Sequence, residues 1–261
     1  MNNFNIISVF IDQEKGFRGN NAAVVLLDSA PSDKQMALWA EDLNQPATTF
    51  LWPEKAGHYQ VRWFAPDEEI GLCGHGSLAS AVFLKKELKE EKAILHYRDG
   101  HIKVGCDEGG YFMWINPIEV IDHIPAPKGL EEALGIEVHD YFSTSNKDLV
   151  LVKSEEALRN MKPDFKALSK LEPFGYAVTA PGEDVDFVSR TLVPKVQQLE
   201  DHATGSSHAA LTPFWSERLM KDKMDALQLS PRGGAFHCEM HMNQVLLRGK
   251  AKTICSGKFE L

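Results

Sequence analysis

Two short segments carry side chains able to take, hold and return a proton. The first is Gly71-Leu72-Cys73-Gly74-His75-Gly76-Ser77. The second is Glu200-Asp201-His202-Ala203-Thr204-Gly205-Ser206-Ser207-His208. Thiol, imidazole and carboxyl groups are the usual acid–base catalysts near neutral pH. Each segment runs from polar or acidic residues into a small-residue turn, then into an apolar helical pattern. Cys73-Gly74 and Thr204-Gly205 coincide in this register, 131 positions apart in a chain of 261. That spacing predicts an old duplication, with two similar domains that each present a helix N-terminus. Such a terminus offers backbone N–H groups and a positive dipole end, which suit a carboxylate. Gly74, His75, Gly205 and Ser206 are therefore expected to line one pocket for a small anion.

The surrounding pattern supplies the elements that must hold these turns. Ile6–Phe10, Ala22–Leu27, Thr48–Trp52, Tyr59–Phe64, Ala93–Tyr97, Ile102–Cys106 and Tyr111–Ile115 read as strands. Ser32–Leu43 has helical spacing with Ser32 as N-cap, and Ser77–Leu88 is helical directly after the first glycine turn. Pro117–Pro127 breaks the pattern and marks a joint, giving domains 1–117 and 118–261, with the last strand a candidate to cross back. Beyond it, Gly129–Leu134, Glu155–Met161, Asp164–Leu171 and His208–Met220 read as helices. Tyr141–Thr144, Asp148–Val152, Tyr176–Thr179, Asp186–Val193 and the tail from Phe236 read as strands.

Bulk composition narrows the function. With 43% hydrophobic and 25% charged residues the chain has apolar material for two cores. A net charge of −9 argues against nucleic acid or an anionic membrane as partner. No stretch reaches the ~18 apolar residues of a membrane span. Met1–Asn5 shows no basic region leading into an apolar run, so no signal peptide is read, and a cytoplasmic location is expected. Cys73, Cys106, Cys238 and Cys255 form no C-x-x-C pair, so neither a zinc ribbon nor a thioredoxin motif is suggested. No G-x-G-x-x-G or P-loop precedes a helix. His237, Glu239 and His241 would share one strand face, but that run reads as a solvated face opposite buried Phe236, Cys238 and Met240, not as a metal site.

Phe17-Arg18-Gly19-Asn20 with Ala22-Ala23-Val24-Val25, Arg62-Trp63-Phe64-Ala65-Pro66, Gly74-His75, Ser189-Arg190, Glu200 to Ser206 and Arg232-Gly233-Gly234 occur in one order along nearly the whole chain. In this the chain resembles the phenazine-biosynthesis PhzF-like family, of the diaminopimelate-epimerase-like fold. The resemblance implies two α/β domains, each a curved, mostly antiparallel sheet around a central helix, with the active site between them. It also implies a cofactor-independent isomerase, usually a homodimer, acting on a small carboxylate-bearing molecule. His75, Asp201 and Ser206 match family site positions, and Asn20, Gly74, Gly76 and Gly205 fall in the matching motifs as substrate-binding positions.

One departure matters for the chemistry. The family's isomerases carry a glutamate that moves a proton between substrate carbons, and Ala47 of Asn44-Gln45-Pro46-Ala47-Thr48-Thr49-Phe50 stands in its place. Alanine has no group that can accept a proton. Cys73 is the first substitute, because the wider fold's epimerases and racemases use a cysteine there. Thr204 takes the opposing position, as in the dehydratase branch of the proline-racemase relatives. Cys73, His75, Asp201 and Thr204 are thus the catalytic candidates, and Cys73 is expected to be partly exposed and reactive. A buried, structural cysteine in a non-catalytic binding descendant is the alternative.

Overall fold

The structure, a computed structural model, describes residues 2–259. It divides into two compact units, Met1–Ile115 with Leu246–Leu261, and Asn116–Val245. The first unit runs β1 (Asn2–Ile11), β2 (Asn20–Leu26), α1 (Asp33–Leu43), β3 (Thr48–Lys55), β4 (His58–Phe64), β5 (Glu69–Ile70), α2 (Gly74–Leu88), β6 (Lys92–Tyr97), β7 (Gly100–Asp107) and β8 (Gly110–Ile115). β1–β2, β3–β4, β6–β7 and β7–β8 pair antiparallel, whereas β2–β3 and β4–β6 pair parallel. The parallel pairs follow from the helices, since a parallel strand needs a crossover connection. α1 supplies one crossover and α2 the other. The short β5 pairs with the end of β4.

α1 starts as its sequence predicts. Ser32 and Gln35 form a reciprocal capping box, and Met36 and Ala40 face the core. α2 is apolar on every side, and Gly74 to Leu84 are all buried. A helix of that kind belongs inside a sheet rather than on its surface. It packs against β1, β2, β3, β6, β7 and β8. Lys85 and Lys86 sit in its last turn, where they complement the negative end of the dipole.

The second unit runs β9 (Val120–His123), α3 (Leu130–Leu134), β10 (Asp140–Thr144), β11 (Asp148–Leu151), α4 (Glu155–Asn160), α5 (Phe165–Leu168), β12 (Tyr176–Pro181), β13 (Phe187–Val193), β14 (Leu199–Asp201), α6 (Gly205–Leu219), β15 (Lys223–Gln228) and β16 (Gly234–His241). From β10 onward its pairing repeats that of β1 to β7 step for step. β10–β11 is antiparallel, β11–β12 parallel, β12–β13 antiparallel, β13–β15 parallel and β15–β16 antiparallel, with short β14 on the end of β13. α6 is the counterpart of α2, and both have 15 residues. After Val245 the chain returns to the first unit. There β17 (Gln244–Phe259) pairs with β1 and β8, which completes a ring of strands about α2. One α/β topology, used twice, is the architecture the paired glycine turns predict.

α6 holds a proline inside its run, Pro213. Proline has no N–H, so the carbonyl four residues earlier loses its helical donor. That carbonyl, of Ala209, instead accepts from the Ile118 N–H at 3.1 Å. The segment after the first unit is thereby tied to the central helix of the second.

Candidate functional site

The first glycine turn lies where β5 ends and α2 begins. Cys73 is the N-cap of α2, and its Sγ accepts the Gly76 N–H at 3.3 Å. The Ser77 hydroxyl donates to the Cys73 carbonyl at 2.7 Å. A thiol sulfur therefore stands where a serine or aspartate oxygen usually caps a helix. Positive helix end and donated N–H both favour negative charge on it. The His75 ring lies alongside, with Nδ1 at 3.6 Å and Nε2 at 3.7 Å from the sulfur. Near-equal distances mean that neither nitrogen's in-plane lone pair aims straight at the thiol, because a strong hydrogen bond is close to linear. The His75 ring therefore sits where it can respond to charge on the sulfur, but it is not aimed as a dedicated thiol base.

Gly76 packs tightly here. A Cβ at this position would come within 2.7 Å of Thr49 Oγ1 and of the Trp63 ring. Ala47 is fully buried just ahead of Thr48 and Thr49 at the start of β3. Asn20 begins β2, is fully buried, and its Oδ1 accepts the Asn21 N–H at 3.1 Å.

The second glycine turn repeats this geometry with other chemistry. Thr204 is the N-cap of α6, followed by Gly205 and Ser206. Its own side chain does not cap the helix. Gln228, buried on β15, holds it instead. The Gln228 Oε1 accepts the Thr204 N–H at 2.8 Å, and its Nε2 donates to Thr204 Oγ1 at 3.1 Å and to the Asp201 carbonyl at 2.5 Å. The Ser230 hydroxyl donates to the His202 carbonyl at 2.7 Å. Asp201 itself is half-buried at the end of β14. Gln228 and Ser230 were outside the sequence-derived candidates, because a lone Gln and Ser near a strand end carry no motif.

The same device delivers both turns. In the first unit Arg62 of β4 makes a two-pronged bond to Glu69 of β5, at 2.8 and 2.7 Å. In the second, Arg190 of β13 makes the same bond to Glu200 of β14, at 2.9 Å for both prongs. The pairs are equivalent in register, with Arg62 opposite Phe50 and Arg190 opposite Val178. Each glutamate lies four residues before its N-cap, Cys73 or Thr204. Planar guanidinium–carboxylate pairing fixes direction as well as distance. Beside the first clip a cavity of about 450 Å³ is lined by Trp52, Trp63, Tyr97, Arg62 and Gly71 among others.

One expectation needs correcting. Cys73 was expected to be partly exposed, and it is only 3% exposed, while Cys255 is exposed and Cys106 half-buried. Alkylation rates will follow that order of access and cannot rank the thiols by chemistry. Cys238 is fully buried, which pushes its thiol up to about 12. On β16, Phe236 and Cys238 are buried as expected, whereas Met240, near the strand's end, is only half-buried, and His237 Nδ1 lies 2.9 Å from Asp225 Oδ1. Among the described residues no three His, Cys, Asp or Glu side chains gather as a metal site would require.

His208, one turn into α6, gives a pH prediction. Its Nδ1 donates to the Thr204 carbonyl at 2.9 Å, Nε2 is buried without a partner, and the ring stacks on Phe236 at 3.6 Å. Burial pushes its pKa down from 6.5 to about 4. Between these values the unfolded chain binds a proton that the folded one refuses, so stability falls as pH drops from 6.5 toward 4. The loss should approach about 3 kcal/mol. Urea midpoints at pH 7 and pH 4.5 should differ in the wild type, and His208→Leu should narrow the difference. An unchanged difference in that variant would contradict the assignment.

With the geometry in place, known proteins can be set beside it. The family model described as phenazine biosynthesis-like protein matches residues 7–257. An uncharacterized isomerase of Pseudomonas aeruginosa is 36% identical over 247 residues, covering 94% of each chain. The crystal structure of a PhzF-family phenazine biosynthesis protein from Enterococcus faecalis superposes with a TM-score of 0.90 at 34% identity, covering 100% of this chain and 99% of that one. A hydroxyproline epimerase from Agrobacterium vitis, solved with trans-4-hydroxy-L-proline, has a TM-score of 0.64 at 10% identity over 98% of this chain and 91% of its own, which is likeness of fold alone. No helix among the described residues is long and apolar enough to cross a membrane. A whole-chain family match, a relative above 30% identity and the twice-used α/β topology agree: this chain belongs to the phenazine biosynthesis-like, PhzF family.

Proposed function

We propose that this chain is a cofactor-independent isomerase that moves a proton on a small carboxylate-bearing molecule, with Cys73 as the proton carrier in place of the family glutamate. The observation that supports this most is the Cys73 sulfur capping α2, with the Gly76 N–H on it and the His75 imidazole alongside. In this reading the thiolate takes a proton from a carbon next to an activating carbonyl or carboxyl group. The negative charge that develops on the substrate is met by the N–H groups at the head of α2. Thr204, fixed by Gln228, and Asp201 are the second unit's candidates for returning a proton to the substrate. Asn20, Gly74, Gly76, Gly205 and Ser206 bind it. Burial of Cys73, His75 and Ser206 suits this chemistry, because excluding water strengthens each charge interaction. A homodimer in the cytoplasm is the family expectation carried to this chain.

A second reading has its own support. Ala47 removes the family base, so the chain could bind such a molecule without converting it. The test is a panel of small carbon acids bearing one or two carboxylates, incubated with the protein without added cofactor and analysed by chiral chromatography. Conversion that depends on Cys73 supports the isomerase. Compounds that raise the melting temperature but are never converted, with conversion first appearing in Ala47→Glu, support the binding protein.

A further inference from the structure

We propose that Thr49 and Trp63 bind the ligand at the head of α2, the threonine hydroxyl and the indole N–H both donating to a carboxylate or carbonyl group; this rests on the reading of the Cys73 turn as substrate-binding. The two residues face each other across β3 and β4. Direct cross-strand partners share one face of a sheet, and here that face meets the first turn of α2. The atoms nearest a Cβ at Gly76 would be Thr49 Oγ1 at 2.7 Å and Trp63 Cδ1 and Nε1 at 2.7 and 3.0 Å. The polar edge of each side chain is therefore the edge turned toward Gly76. Thr49 is 0% and Trp63 1% exposed, and neither Thr49 Oγ1 nor Trp63 Nε1 has a hydrogen-bond partner among the described residues.

Buried polar groups are nearly always paired. Two orphans turned toward one helix head call for a partner from outside the chain. An indole N–H can only donate and a hydroxyl can donate, so the partner that fits both is an oxygen acceptor rather than a cation. Trp63 also lines the cavity of about 450 Å³ that reaches Gly71, so this tryptophan touches both open space and the first turn of α2.

The internal repeat gives an independent argument. With Arg62 and Arg190 equivalent, Trp63 corresponds to Thr191 and Thr49 to Ala177. Gly76 is the third residue of α2, and Ser207 is the third residue of α6. In the second unit the Thr191 hydroxyl donates to Ser207 Oγ at 3.0 Å, so strand and helix satisfy each other. In the first unit the strands bring two donors and the helix brings only a glycine, which has no side chain to receive them. One copy has closed this contact on itself, and the other has kept it for a ligand.

Malonate, succinate and pyruvate serve as probes of the full chain, by calorimetry and by NMR of ¹⁵N-labelled indole groups. At least one should bind and shift the Trp63 indole N–H resonance, identified by its loss in Trp63→Phe. Thr49→Val should weaken that probe about 3–10-fold. The same variant should unfold at an equal or higher urea concentration than the wild type, because it removes an unpaired buried hydroxyl. A threonine of purely structural value would do the reverse, with stability lowered and affinity unchanged. Equal affinity in a folded Thr49→Val overturns the proposal. So does a Trp63 indole resonance that no probe moves, even where Thr49→Val does not fold. A probe held by Thr49 and Trp63 in a chain that converts nothing upholds the pair and defeats the isomerase. Cys73-dependent conversion with an unmoved indole defeats the pair alone.

Discussion

Replacing Arg190 with methionine is expected to destabilise the fold by about 3–5 kcal/mol, read as a shift in the chemical denaturation midpoint. The side chains of Arg190 and Glu200 are only 11% and 10% exposed, and the guanidinium also donates to the Met161 carbonyl at 2.9 Å. Removing it leaves a buried carboxylate with its charge uncompensated. Glu200→Gln should be similarly harmful, because the stranded arginine is as deeply placed. The equivalent clip in the first unit makes the control. Arg62 and Glu69 are 26% and 40% exposed, so water screens them, and Arg62→Met should cost about 1 kcal/mol or less. Arg190→Met within 1 kcal/mol of wild type would show that β14 is held by something else.

The second large effect is on rate. Cys73→Ala should lower turnover about 10²–10⁴-fold, the usual contribution of a positioned acid–base group. The fold should survive, since the loss in packing is one small side chain and one cap contact. Cys73→Ser keeps a capping atom at the head of α2 but not the thiol's acidity, so it should restore stability and not rate. A Cys73→Ser variant as active as wild type would mean that the residue is only a cap.

The duplication was legible in the sequence because two glycine turns stand in the same register, and a helix head built on Gly74 or Gly205 has few alternatives. Ser32 and the longer strands of the first unit were legible for the same local reasons. β5, β14 and β9 were not. Two are only two or three residues long, and Val120–His123 is exposed at every position, so none leaves a burial pattern. β15 alternates apolar and polar only over Met224 to Ala226, too short a run to separate from a turn. The clips were not legible because, although Arg62, Arg190 and Glu200 fall in motif segments, their pairing with Glu69 or with each other is set by strand register, which no motif spells out. Gln228 is a further case, with its partner 24 positions away. The burial of Cys73 was missed because its neighbours Gly71, Gly74 and Gly76 read as an open turn, whereas the helix they begin runs inside the sheet.

Solvent isotope incorporation is the most direct test of proton transfer through Cys73. Any compound converted in the panel is incubated in D2O with wild type and with Cys73→Ser, and the carbon-bound hydrogens are followed by NMR. The wild type should place deuterium at a single carbon next to the carboxylate or carbonyl, and Cys73→Ser should leave that carbon protonated at matched protein concentration. Equal deuterium uptake by both proteins would contradict the account.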